Sequence, residues 1–171
     1  MPHIVNVRST RLEIQLAETE IQQLTHYWHQ QKGMFRRFAL LEHMRLSDLA
    51  SYRDDMCILD LAASGPVYRQ VGRRMLPRLG ADPTGKPVTT LRPEAYRRVV
   101  EAILMDALTN ERPVAHEITI DVDGQRMVMQ QLVLPLSLNG VEIDFLLTYS
   151  KVLAWDDALF EAAVSEKERV R

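Results

Sequence analysis

The chain has 171 residues, of which 46% are hydrophobic and 26% charged, and its formal net charge is -2 at pH 7. These fractions are ordinary for a folded globular domain, and they exclude a disordered chain, a collagen-like repeat and a disulfide scaffold. The near-neutral charge gives no electrostatic reason to expect nucleic acid or an anionic membrane as a partner. The single cysteine, Cys57, lies in an apolar run and is expected to be a buried free thiol.

Targeting and membrane segments are not expected. The first ten residues carry no signal-peptide pattern. The apolar stretches are much shorter than the roughly 20 residues that a membrane helix needs. A cytoplasmic location, with no membrane partner, is therefore the expectation.

The first predicted element is a helix over about residues 18–31. Its apolar residues Ile21, Leu24 and Trp28 recur at helical spacing, and Gly33 follows as a stop signal. An apolar stripe of this kind suits pairing with the same helix of a second copy. A homodimer through these three residues is therefore expected.

Two short strands come next, over residues 55–62 and 67–71, on either side of a Gly-Pro turn. One or two helical turns are expected over residues 72–79. The segment 81–91 is rich in proline and glycine and is expected to be a loop.

The longest predicted helix begins at Pro93 and ends near Asn110. Its apolar residues recur at spacings of three and four, so that one face of the helix should be buried. The residues of this stripe are Tyr96, Val99, Val100, Ile103, Leu104, Ala107 and Leu108.

After this helix the hydrophobic period changes from 3.6 to 2, which predicts strands joined by tight turns. The turns are Asp123-Gly124 and Asn139-Gly140. The strands are expected over residues 114–122, 126–138 and 141–149, with a closing helix over 155–170. The complete order predicts one α+β domain over residues 1–171, with a five-stranded antiparallel sheet, the long helix across one face, and helical ends.

Four short motifs, each present once, follow one another along the chain. The first two are Tyr27-Trp28 in the first helix and Tyr68-Arg69-Gln70-Val71-Gly72 in the second strand. The others are the loop Gly80-Ala81-Asp82-Pro83-Thr84-Gly85-Lys86-Pro87, and the segment Leu134-Pro135-Leu136-Ser137-Leu138-Asn139-Gly140 followed by Ile143-Asp144. Together they resemble a bacterial branch of single-domain PAS proteins long catalogued as a domain of unknown function. The resemblance covers a core of about residues 21–152. Residues 38–49 depart from it, because they lack the branch's proline- and acid-rich segment.

The resemblance implies a non-catalytic sensory or regulatory module that binds a small molecule, a signalling protein partner, or both. Haem-binding members commonly use a histidine of the long helix, and this helix has none. Photosensory flavin-binding members place their reactive cysteine in the helices after the second strand, whereas Cys57 lies in the first strand. Haem and flavin are therefore disfavoured, no cofactor or metal is predicted, and an unidentified small-molecule ligand is allowed.

A pocket between the sheet and the long helix is the expected ligand site. The candidate lining residues place polar atoms along predicted buried elements, and they are His116, Gln130, Tyr96 and Tyr68. One alternative is a structural adaptor with a filled core. Another is a small α+β enzyme of the cone type, with His116 and an acid such as Asp144 as a general acid–base pair.

Overall fold

The computed structural model describes residues 4–45, 47–61, 65–79, 81–122 and 125–154. Seven strands lie in these ranges: β1 (Ile4–Leu12), β2 (Ala39–Leu40), β3 (Met56–Asp60), β4 (Val67–Val71), β5 (Val114–Val122), β6 (Gln125–Ser137) and β7 (Phe145–Ala154). The α-helices are α1 (Thr19–Lys32), α2 (Met75–Leu79) and α3 (Glu94–Asn110). The closing helix that the sequence predicts over residues 155–170 lies outside the described residues.

The strands form a single sheet in the order β1-β5-β6-β7-β3-β4. All neighbours on this path are antiparallel, and β2 adds a short parallel pairing to β6. The predicted α+β class and the antiparallel sheet are confirmed. The predicted count of five strands is wrong, because the sheet has seven, with β1 and β2 added to the expected five.

Strand β1 lies at the edge of the sheet, where it pairs with β5 over most of its length. Its residues from Asn6 to Arg11 are largely exposed and mainly polar, and Val7 packs against the core. A polar edge strand of this kind resists pairing with other chains. It also carries little of the apolar alternation from which a strand is predicted.

Helix α3 covers one face of the sheet, as its stripe predicts. Five of its residues are buried there: Tyr96, Val100, Ile103, Leu104 and Ala107. They pack against buried side chains of the sheet that include Ile118, Met129 and Leu146. This face and α3 together form the first core.

Helix α1 covers the opposite face and forms a second core with it. Ile21, Leu24 and Trp28 are 0%, 1% and 1% exposed and pack against the sheet. The indole Nε1 of Trp28 donates a hydrogen bond of 2.7 Å to the carbonyl oxygen of Pro135 on β6. The three residues expected at a dimer interface are therefore internal, and a dimer through them would require α1 to leave its own sheet.

The turn between β6 and β7 is longer than the sequence predicts. The last strand begins at Phe145 rather than at residue 141. Gly140 has a φ of +83°, which favours glycine, and its N–H donates to the hydroxyl oxygen of Ser137 over 2.9 Å. The carboxylate of Asp144 accepts a hydrogen bond of 2.7 Å from the N–H of Leu138. These bonds fix the loop, which explains the late start of the strand.

Candidate functional site: a buried polar row

Four polar residues lie side by side across four strands on the face beneath α3. Arg11 of β1 is opposite His116 of β5, His116 is opposite Gln131 of β6, and Gln131 is opposite Ser150 of β7. His116, Gln131 and Ser150 are 9%, 5% and 1% exposed, whereas the Arg11 side chain is 46% exposed. We call these four residues the polar row.

Apolar residues border the polar row on both sides. Two positions away along the strands lie Ile118 and Met129 on one side, and Val114 and Val133 on the other. All four are buried in the first core. The polar row therefore lies inside an apolar environment, where a polar atom without a hydrogen bond is costly.

One end of the polar row is held by Asp106, a residue of α3. The Nε2 atom of His116 lies 2.7 Å from Oδ2 of Asp106, and Nε of Arg11 lies 3.6 Å from the same oxygen. Because an ionised carboxylate only accepts hydrogen bonds, Nε2 of His116 is the donor in this pair. This contact ties α3 to the sheet through the polar row.

The other end of the polar row is less completely bonded. The side-chain N–H of Gln131 donates to Oγ of Ser150 over 3.4 Å. Within the described ranges, Nδ1 of His116 and Oε1 of Gln131 are buried and have no hydrogen-bond partner. An unsatisfied buried polar atom costs about 1–3 kcal/mol, so such atoms are rare and call for an explanation.

Ser150 also lines a cleft of about 500 Å³ beside the start of β3. The cleft is polar, and its walls include Asp55, Arg74 and Tyr149. Arg74 forms an ion pair with Asp55 there. The cleft therefore brings an open surface next to the last residue of the polar row.

Two of the predicted pocket residues, Tyr68 and Tyr96, lie in the first core but outside the polar row. They are 4% and 1% exposed. Burial raises the pKa of both hydroxyl groups well above the usual value, so both stay neutral over the physiological range. Tyr68 lies on β4 and Tyr96 on the buried face of α3, and the contact of either residue with a ligand stays a prediction.

Gln130 lies on the opposite face from the other three candidates. Its Oε1 accepts a hydrogen bond of 2.7 Å from the backbone N–H of Glu18, the residue before α1. Gln130 therefore supports the start of α1 and does not border the space beneath α3. The next residue, Gln131, takes the position that the sequence assigns to Gln130.

The suggested acid–base pair of His116 and Asp144 is not formed. His116 contacts Asp106, whereas Asp144 bonds to Leu138 in the loop after β6. Cys57 also faces the first core, and burial raises the pKa of its thiol to about 12. It is accordingly a neutral thiol and not a nucleophile.

Comparison with known proteins gives matches to solved structures alone. No family model matches the chain, and no curated protein matches it. A light-oxygen-voltage (LOV) domain studied with a flavin analogue is 17% identical over 74% of this chain and 95% of its own, with a TM-score of 0.49. The light state of the blue-light photoreceptor Aureochrome1 LOV is 16% identical over 72% and 98%, with a TM-score of 0.47. An RNA-binding LOV receptor is 10% identical over 97% of this chain and 43% of its own, also at 0.47.

The solved structures that match are LOV domains, a subfamily of the PAS proteins that the sequence resembles. The narrower resemblance to one bacterial branch stays a prediction, as does the absence of a nucleic-acid partner. Within the described part of the chain, none of the helices has the length and apolar character of a membrane-spanning segment.

The prediction that no cofactor binds, with flavin disfavoured, is contradicted by this comparison. The similar structures are LOV domains, and one of them was studied with a flavin analogue. The prediction was based on the position of Cys57, which is not where photosensory members place their reactive cysteine. The position of that cysteine does not decide whether the flavin ring itself can be bound.

Proposed function

We propose that the chain is a non-catalytic PAS-type sensory or regulatory module that binds a small molecule at the polar row. The observation that carries the proposal is the pair of buried atoms without partners, Nδ1 of His116 and Oε1 of Gln131. Both lie in an apolar core between a helix and a sheet, which is a common position for a ligand site.

A ligand at this position could form hydrogen bonds with both unsatisfied atoms and so offset the free energy that their burial costs. It would also contact the part of the sheet to which Asp106 of α3 is tied through His116. A molecule that favours one arrangement of α3 over the sheet shifts the population toward that arrangement. The module would report this shift to a protein partner.

Flavin is the first ligand to test. Its ring is flat and apolar on its faces, which suits a core that contains Ile118 and Met129. Its edge carries one N–H group between two carbonyl oxygens, so that flavin offers a single hydrogen-bond donor to His116 and Gln131. Bound flavin would supply light absorption, while the residues of this chain would hold and orient the ring.

The test is retention and titration of a ligand by the full chain. Native mass spectrometry of the protein purified from its own host is expected to show a retained small molecule. Titration with riboflavin and with flavin mononucleotide, followed by fluorescence quenching, measures flavin binding directly.

Two matched variants locate the site. Gln131→Leu is expected to weaken binding about tenfold, because it removes one hydrogen-bonding group from a buried site. Gln30→Leu makes the same change at an exposed position of α1 and is expected to leave binding unchanged. A chain that retains no molecule and binds neither flavin would instead support a structural adaptor with a filled core.

A further inference from the structure

We infer that the ligand of the polar row presents a pair of N–H donors to His116 and Gln131. This inference rests on the proposed function and names the chemical class of its ligand. The class includes amidines, primary amides and rings that carry an amino group at the edge. It excludes molecules whose polar edge only accepts hydrogen bonds, and it ranks flavin, which has one N–H group between two carbonyl oxygens at its edge, below ligands with two N–H donors.

The role of His116 follows from its contact with α3. Because Asp106 accepts a hydrogen bond from Nε2 over 2.7 Å, the hydrogen of the neutral ring is on Nε2. The other ring nitrogen, Nδ1, then carries a lone pair and acts as an acceptor. The Nε atom of Arg11 lies 3.6 Å from the same carboxylate oxygen and places a positive charge beside the acceptor of this bond.

The role of Gln131 follows from its contact with β7. Its amide N–H group is directed to Oγ of Ser150 over 3.4 Å. The amide oxygen, Oε1, is therefore the free end, and an amide oxygen has two lone pairs. Like Nδ1 of His116, it is fully buried and accepts no hydrogen bond within the described part of the chain.

The two acceptors belong to directly opposed residues of neighbouring strands. Side chains in such a pair start from Cβ atoms about 4.5–5.5 Å apart. A group with two N–H donors can therefore serve both acceptors at once. A carboxylate or an ether would place its own acceptor oxygen against these two acceptors. No hydrogen bond could then form, so binding of such a group would be disfavoured in this low-dielectric core.

The test compares small molecules of equal shape and opposite hydrogen-bonding role. Acetamidine presents two N–H donors, and acetate presents two acceptors in the same geometry. Acetamide and methyl acetate repeat the comparison without a net charge. Binding is followed by the NMR signals of the His116 ring and of the Gln131 side-chain amide, so that contacts at surface carboxylates are not counted.

Acetamidine and acetamide are expected to shift both signals, and acetate and methyl acetate to shift neither. Gln131→Leu is expected to weaken the binding of acetamidine about tenfold, as read from the His116 signal. Gln30→Leu is the matched control and is expected to leave it unchanged.

Two results would overturn the inference. If acetate shifts both signals at least as strongly as acetamidine, the row is a ligand site for a different chemical class, and the proposed function stands. If no probe shifts either signal and a crystal structure shows ordered water between His116 and Gln131, the row binds no donor pair. The proposed function is then decided separately by the retention and flavin experiments.

Discussion

Cys57 lies on β3 beneath α3, and only 2% of the residue is exposed. Burial raises the pKa of its thiol to about 12, so the reactive thiolate is almost absent near pH 8. We expect an aromatic disulfide reagent at pH 8 to modify the native chain far more slowly than the same chain in urea. Release of the coloured thiolate measures both rates, and equal rates would show that the thiol is accessible in the native state.

Gly72 follows β4 at a point where the backbone comes very close to other backbone. A Cβ atom at this position would lie 2.5 Å from the carbonyl oxygens of Arg53 and Asp54. Because these oxygens belong to the main chain, they cannot rotate away as a side chain would.

We therefore expect Gly72→Ala to lower the free energy of unfolding by about 1–3 kcal/mol, measured by urea denaturation. The control is Arg73→Ala, since the neighbouring Arg73 side chain is 83% exposed. The control is expected to change the stability by less than about 0.5 kcal/mol. Equal effects of the two substitutions would contradict the explanation by close approach.

Gln130 and Gln131 show what a sequence can tell about a site in this fold. The sequence places an amide in the buried part of a strand, and the structure agrees. It does not reveal which of the two amides faces α3, because residues 129–137 of β6 are buried without interruption. Alternation identifies a face only where the other face is exposed to water, and here both faces are covered.

At the scale of the elements, α1 is a structural layer of the chain. Its buried side chains fill the second core, and Trp28 is hydrogen-bonded to β6 within that core. Removing methyl groups from such a site leaves a cavity, which costs about 2–5 kcal/mol for a change from leucine to alanine.

We expect Leu24→Ala to lower the free energy of unfolding by this amount, about 2–5 kcal/mol, without changing the molecular mass in solution. Gln30→Ala, on the exposed side of the same helix, is the control and is expected to be nearly neutral. Light scattering reports on a dimer interface and urea denaturation on packing in the second core, so the two measurements distinguish these roles of α1. A loss of dimer with unchanged stability would instead support the dimer interface that the sequence suggests.

The elements predicted best are those with one strong period. Helix α3 and strands β5 and β6 match their expected ranges within one residue at each end. Strand β1 is one of the two strands that the sequence fails to indicate, with β2, since an edge strand exposes most of its side chains to water. Its position in the sheet depends on backbone hydrogen bonds to β5, and the side chains of a sequence do not reveal such bonds.

At the scale of the whole molecule, one sheet serves both cores. Strand β6 contributes Met129 and Val133 to the first core and Leu132 and Leu134 to the second. Neither core can lose its sheet without exposing the other. The two layers are therefore expected to unfold together, as small single domains usually do.

We expect urea transitions followed by tryptophan fluorescence and by far-ultraviolet circular dichroism to have the same midpoint. Ile103→Ala in the first core and Leu24→Ala in the second are expected to move both transitions together. Two separate midpoints, each moved by one of the substitutions, would show that the layers are independent.

The position of Arg11 on the outermost strand has a practical consequence for anyone who shortens this chain. A fragment that begins at α1 would lack β1, and its sheet would have one strand fewer. Asp106 would then lose the guanidinium 3.6 Å from its carboxylate, and the backbone of β5 would become a bare edge. Such a fragment is a poor substitute for the whole chain in ligand screening, because the truncation removes the first residue of the row on which binding is proposed to depend.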